Sequence, residues 1–241
     1  MGCAVVLAVV LGMDVIGKLG GIKVKKGEIE FGTCAVSNVT ERPRSMLDIK
    51  DRDFEAFFDG KSWEVKYFWN EGGPPNLKNK VGEYKTNLSP EKMKSYEEEV
   101  ERWIEEGILL PWHGEVEGVL PLIAIEQSTK GKVRPVLDFR ELNKGVKSHT
   151  GDDMTDVCGE RLREWRMLEG EGELVDLKSA YLQIKVSKEL WKYQLVKFRE
   201  EVYCLTRLGF GLSSAPRIMT KILKTVLAER DDIKKGYQFL H

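Results

Sequence analysis

Two apolar periodicities alternate along the chain, and the elements they predict divide it into three parts. Residues 3–11, Cys-Ala-Val-Val-Leu-Ala-Val-Val-Leu, form a continuous apolar run. A membrane span needs about 20 such residues, so a buried strand is the expected form. Short β-type segments broken by glycine follow at 19–24 and 28–32, which predicts a β-rich N-terminal part over residues 1–36. Residues 37–88 are charged, contain Pro74-Pro75 and show little sustained period, as a connector would. Within it Asp53–Phe58 and Trp63–Trp69 are expected to pack as a small helix and a strand.

Helical spacing returns at residue 89. Ser89-Pro90-Glu91 offers an N-cap followed by Pro at the first helical position. Tyr96, Val100, Trp103 and Ile104 share one face, the glutamates fall mainly outside it, and Gly107 supplies the stop. Val119–Ile125 and Val133–Asp138 then read as strands joined by the turn Ser128–Gly131. Arg161–Leu168 predicts a short helix. Leu174-Val175 and the alternation of Leu182, Ile184 and Val186 with Tyr181, Gln183 and Lys185 predict a central strand, interrupted by Asp176. Tyr193–Phe198 and Val202–Thr206 predict a hairpin about Arg199-Glu-Glu201. A final helix is expected from Ala215 to about Glu229, burying Ile218, Ile222 and Val226.

Charge sharpens this division. Net charge is −1, yet residues 1–118 carry 16 Lys/Arg against 21 Asp/Glu while residues 119–241 carry 22 against 18. The excess of cations in the second half is the side expected to meet a phosphate backbone. Four scattered cysteines and three scattered histidines form no zinc-ligand spacing and no disulfide framework, which fits an intracellular chain, cytoplasmic or nuclear. The N-terminal run lacks the basic region and cleavage site of a secretory signal. Myristoylation is disfavoured by Val6 where Ser or Thr is wanted.

Three blocks carry chemistry. Lys130-Gly-Lys-Val-Arg-Pro-Val-Leu-Asp-Phe-Arg-Glu-Leu-Asn143 places Lys130, Lys132 and Arg134 on a hairpin, where guanidinium geometry suits phosphate oxygens. Asp176 stands in an apolar strand beside Tyr181, and its oxygens suit a hard divalent cation, although on this stretch alone a turn cap or a pair with Lys178 is the favoured explanation. Leu208-Gly-Phe-Gly-Leu-Ser-Ser-Ala-Pro216 has two glycines that let backbone approach a ligand.

In this order and spacing the blocks resemble the fingers and palm of reverse transcriptases from retroviruses and LTR retrotransposons, over roughly residues 89–241. Leu11-Gly-Met-Asp14 similarly resembles the C-terminal end of a retropepsin, without that family's catalytic Asp-Thr/Ser-Gly. The resemblance implies an α+β fold of right-hand polymerase fingers and an incomplete palm, after a β-rich aspartic-protease remnant. It also implies RNA-directed DNA polymerase chemistry with Mg²⁺, a template–primer of RNA or DNA, and deoxynucleoside triphosphates. Asp176 would be the first metal-ligating carboxylate and the Leu177 carbonyl a secondary ligand. Arg134, with Lys130 and Lys132, would contact the triphosphate, Tyr181 would exclude a 2′-hydroxyl, and Phe210 and Gly211 would back the nucleotide. Asp138, Arg140 and Asn143 would pin the structure. Gly209 departs from the Pro common in relatives. The family's Tyr-x-Asp-Asp hairpin is not found before His241, and Asp231-Asp232 is read as a tail. The chain alone is therefore expected to be catalytically inactive. The alternatives are a non-catalytic nucleic-acid-binding remnant or truncated gene product, and a protein-interaction module using the acidic helix.

Overall fold

The computed structural model describes residues 4–8, 22–25, 28–31, 47–79, 88–127, 132–149, 172–174, 177, 179–228 and 239–240. Mixed sheets with few helices give an α+β architecture, and the chain divides into two compact units. One unit gathers residues 1–44, 150–180 and 220–241; the other gathers 45–149 and 181–219.

The first unit holds a five-stranded sheet of order β14-β1-β10-β2-β3. Its strands are β1 (Ala4–Ala8), β2 (Ile22–Lys25), β3 (Glu28–Phe31), β10 (Gly172–Leu174) and β14 (Phe239–Leu240). β1 runs parallel to β10 with Ala4 opposite Gly172, and β10 runs antiparallel to β2. The apolar run at 3–11 thus contains a strand, and it pairs with a segment some 170 positions away in the sequence. The expected helix at 161–168, Asp14, Lys130, Asp176 and Asp231-Asp232 lie outside the described residues.

In the second unit, β4 (Leu47–Lys50), β5 (Phe54–Phe58), β6 (Trp63–Tyr67) and β11 (Lys185–Val186) make a sheet of order β11-β6-β5-β4. The helix expected at 53–58 is a strand. Phe54, Ala56 and Phe58 are buried while Glu55 and Phe57 are exposed, a period of two that the run of aromatics obscures. Gly60, with φ of 91°, turns the chain into β6.

Helix α1 (Pro90–Glu105) forms as its pattern requires. The Ser89 hydroxyl accepts the Lys92 N–H, Tyr96, Val100 and Trp103 are buried, and Gly107 leaves the helix at φ of 66°. α1 lies against β9 (Lys132–Leu137), which pairs antiparallel with β8 (Leu122–Gln127) in a hairpin. The one-turn helix α2 (Arg140–Asn143) follows directly. β12 (Leu195–Phe198) and β13 (Glu201–Leu205) form the expected second hairpin about Arg199, and β7 (Leu109–Pro111) joins β13. Single bridges from Leu120 to Val196 and from Lys185 to Arg207 stitch these sheets together.

Two further expectations are corrected. Ala180–Gln183 is a 3-10 turn, with only Lys185–Val186 extended, so Tyr181, Ile184 and Val186 are buried at spacings of three and two. The tighter turn follows Ser179, which has φ of 50°. In α3 (Ala215–Ala228) Ile218 and Ile222 are buried, but Val226 is 41% exposed. Periodicity tells which face a helix buries, and the length of its cover depends on what packs there.

Candidate functional site

The loop Leu208–Ser214 connects β13 to α3 and is anchored by its apolar ends. Leu208 and Leu212 are buried, and the Leu208 N–H donates to the Ile184 carbonyl at 2.9 Å. Between them the two glycines are required for different reasons. A Cβ on Gly209 would stand 2.0 Å from Cζ of Phe139, so the loop lies directly on that ring. Gly211 has φ of +102°, a conformation that L side chains rarely adopt.

Asn143, the last residue of α2, holds the same loop from below. Its Nδ2 donates to the Gly211 carbonyl at 2.9 Å, and its Oδ1 accepts the Ser213 N–H at 2.9 Å. The Ser148 hydroxyl adds a contact of 3.4 Å to the Ser213 carbonyl. Asp138 is occupied locally. It accepts Arg140 Nε at 2.9 and 3.0 Å and the Arg140 backbone N–H at 3.0 Å. The hydrogen bonds from the Arg140 side chain hold its carboxyl below the usual carboxylate range.

These pins leave Phe210 at the loop tip, 57% exposed. The inner side of its ring meets Tyr181, with centroids 5.9 Å apart and planes inclined by 57°. Tyr181 is 8% exposed, and burial pushes its phenol pKa up, so it stays neutral. Arg134 is half-buried on β9, opposite Ile125, and three residues before Leu137. The Leu137 carbonyl is 3.9 Å from where a Gly211 Cβ would stand. Arg134 is therefore displaced from the loop by about 10 Å along the strand, at ~3.3 Å per residue.

The structure thus brings Tyr181, Phe210 and Gly211 together and carries Arg134 on the same β9–α2 segment. Lys132 pairs with Gln127 through the backbone of the hairpin. Leu177 is a half-buried coil residue in the other unit. Among the described residues, no three His, Cys, Asp or Glu side chains cluster as metal ligands would. No described helix is long and apolar enough to cross a membrane.

One charged cluster escaped the sequence. Arg217, in the first turn of α3, is 6% exposed, and its guanidinium NH2 lies 3.1 and 3.2 Å from the two Asp51 carboxylate oxygens. Its Nε lies 3.7 Å from Asp53, whose carboxylate also accepts the His149 N–H at 2.8 Å. The segment expected to be a connector with local structure is therefore also bolted to the start of α3. Asp51 and Asp53 look like turn residues in sequence, and nothing local signals a partner more than 160 residues away.

No family model matches the chain. It is 26% identical over 145 residues to an uncharacterized protein of Caenorhabditis elegans, covering 56% of this chain and 10% of that protein. Among solved structures it is similar to native prototype foamy virus protease-reverse transcriptase, with 18% identity and a TM-score of 0.49. That match covers 67% of this chain and 20% of the viral one. It is also similar to a foamy viral protease-reverse transcriptase in complex with double-stranded DNA. There the identity is 15% and the TM-score 0.48, over 69% of this chain and 27% of the other. The chain thus spans about a tenth of the nematode protein and a fifth to a quarter of the viral ones.

Proposed function

We propose that residues 89–241 are reverse-transcriptase-like fingers and part of a palm, of LTR-retroelement type, that bind a template–primer and a deoxynucleoside triphosphate. Residues 1–36 are then a retropepsin-like remnant and residues 37–88 the connecting segment. One observation supports this most. Two sequence blocks that resemble polymerase motifs meet in space, with Asn143 and Phe139 of one holding the Gly209–Ser213 loop of the other, and Tyr181 beneath Phe210.

In this reading each side chain has a defined task. The exposed ring of Phe210 offers an apolar platform to a base, and Gly211 lets the backbone follow it closely. Tyr181 forms the floor under the sugar, where a ribose 2′-hydroxyl would have no room. Arg134 offers fixed guanidinium donors to phosphate oxygens, with Lys130 and Lys132 as further cations. Asp176 and the Leu177 carbonyl are the proposed Mg²⁺ ligands, and the ion would neutralise phosphate charge. A two-metal site needs more carboxylates than Asp176. The family's Tyr-x-Asp-Asp does not occur in the 241 residues, so this polypeptide is expected to bind substrates without sustained extension.

The test uses the purified chain, a fluorescent RNA/DNA primer-template, deoxynucleotides and Mg²⁺. Binding should be detected by anisotropy, strengthened by the complementary deoxynucleotide, and weakened about tenfold by Arg134→Ala or Phe210→Ala, the scale of a lost charge-assisted bond or stacked base. Tyr181→Ala should allow a ribonucleotide to strengthen the complex as well. Absence of template–primer binding would refute the reading. Binding that no nucleotide alters would favour a non-catalytic nucleic-acid-binding remnant. Extension that Asp176→Asn abolishes would refute the expected inactivity.

A further inference from the structure

The outward face of the sheet β11-β6-β5-β4 has a chemistry unlike that of the nucleotide-facing loop. Its centre is Phe57, 40% exposed. Strand register sets a carboxylate on either side of that ring, Asp48 on β4 and Glu64 on β6. The backbone positions of the two residues are therefore about 10 Å apart, two strand spacings. Both side chains are exposed. An open groove of about 510 Å³ runs over this row and along β4.

The groove is net acidic, although Lys185 on β11 stands in register beside Glu64. Five carboxylates line it, from Asp48, Glu55, Asp59, Glu64 and Glu189, against the two cations Lys50 and Lys66. Lys66 is spent on Glu189, at 2.6 Å. Asp59 is held below the usual carboxylate range, chiefly by the Ser62 and Lys61 backbone N–H groups and in part by Lys185, so it remains charged.

β4 is the terminal strand, and among the described residues nothing pairs with its outer side. The Asp51 N–H donates to the Phe54 carbonyl, so Leu47, Ile49 and Asp51 bond inward to β5. Alternation then turns the N–H and C=O groups of Asp48 and Lys50 outward. An unpaired edge beside a charged groove is a template for an added strand.

We propose that this face docks an extended basic peptide, which pairs with the outer edge of β4 and lays a Lys or Arg side chain across Phe57 between Asp48 and Glu64. The ring supplies a cation–π contact and the carboxylates supply the ion pairs. The site is independent of the nucleotide-binding reading, and its partner is a protein segment of opposite charge.

The test is fluorescence anisotropy of labelled acetyl-Lys-Val-Arg-Val-Lys-Val-amide with the full 241-residue chain, against the same peptide carrying Glu at each basic position. Only the basic peptide should bind, and it should bind at least tenfold more weakly to Phe57→Ser and to the double variant Asp48→Asn/Glu64→Gln. N-methylation of alternate peptide amides should also weaken it, whereas Glu71→Gln, outside the groove, should not. The substituted side chains are exposed, so unchanged circular dichroism will show that the variants fold. Equal binding of both peptides, or binding indifferent to these substitutions, overturns the proposal. So does a concentration-dependent dimer that Phe57→Ser dissolves, because the occupant would then be a second copy of this chain.

Discussion

Gly209→Ala adds one methyl group at the closest contact between the two blocks. Its Cβ would stand 2.0 Å from Cζ and 2.4 Å from Cε2 of Phe139. Carbon pairs are most comfortable near ~3.5 Å, so the ring or the loop would have to withdraw by about 1.5 Å. Neither is free to do so. Phe139 is 3% exposed, its carbonyl accepts the Asn143 N–H at 2.8 Å, and the preceding Asp138 N–H donates to Pro121 at 2.9 Å. The loop is held by Asn143 on its other side. Overpacking of this kind costs about 1–3 kcal/mol. Restricting the unfolded chain returns about 0.4–1 kcal/mol where the native backbone suits Ala, so a net loss of roughly 1–2 kcal/mol is expected. Phe139→Leu alone should cost about 1.5 kcal/mol, less than full truncation to Ala. Because the shorter side chain vacates the collision, the double variant should be more stable than the sum of the singles by about 1 kcal/mol. Urea unfolding followed by tryptophan fluorescence reads this, since Trp63, Trp69, Trp103, Trp112 and Trp191 all belong to the same unit. A wild-type midpoint for Gly209→Ala, or strict additivity in the double variant, would show that the loop and the Phe139 ring are not in close contact.

Asn143→Ala removes both hydrogen bonds to the loop and should cost about 1–3 kcal/mol, with faster hydrogen exchange at the Ser213 amide as its local signature. Arg217→Met leaves Asp51 and Asp53 without their shared cation, which should cost about 3–5 kcal/mol in urea unfolding, partly restored by adding Asp51→Asn. Asp138→Asn tests a pH dependence. The folded pKa of Asp138 is lowered by Arg140, so its contribution is complete above about pH 4, its unfolded range, and disappears as pH falls through the lowered folded value. The stability gap between wild type and Asp138→Asn should therefore be present at neutral pH and close in strong acid; a gap that persists there would contradict the assignment.

The elements whose evidence is local were legible in the sequence. α1 carries its own cap, its own apolar stripe and its own glycine stop, and the two hairpins are set by alternation and a turn. The resemblance named Tyr181, Phe210, Gly211 and Arg134, and the loop's two glycines announced a close approach. Where aromatic residues crowd, as at Phe54–Phe58, the period was hidden because an exposed Phe57 reads like a buried one. At Ala180–Gln183 a residue at φ of 50° just upstream tightened the chain into a 3-10 turn that alternation alone does not foresee.

The long-range pairings, by contrast, arise only in the folded chain. Composition and spacing do not couple Gly209 to Phe139, Asn143 to the loop carbonyl and amide, or Arg217 to Asp51 and Asp53. They are also silent on which strand stands at a sheet edge and so on which backbone groups remain unpaired. Local propensity is written residue by residue. Packing complementarity and ion pairing belong to pairs of residues, and they exist only once the chain has brought those residues together.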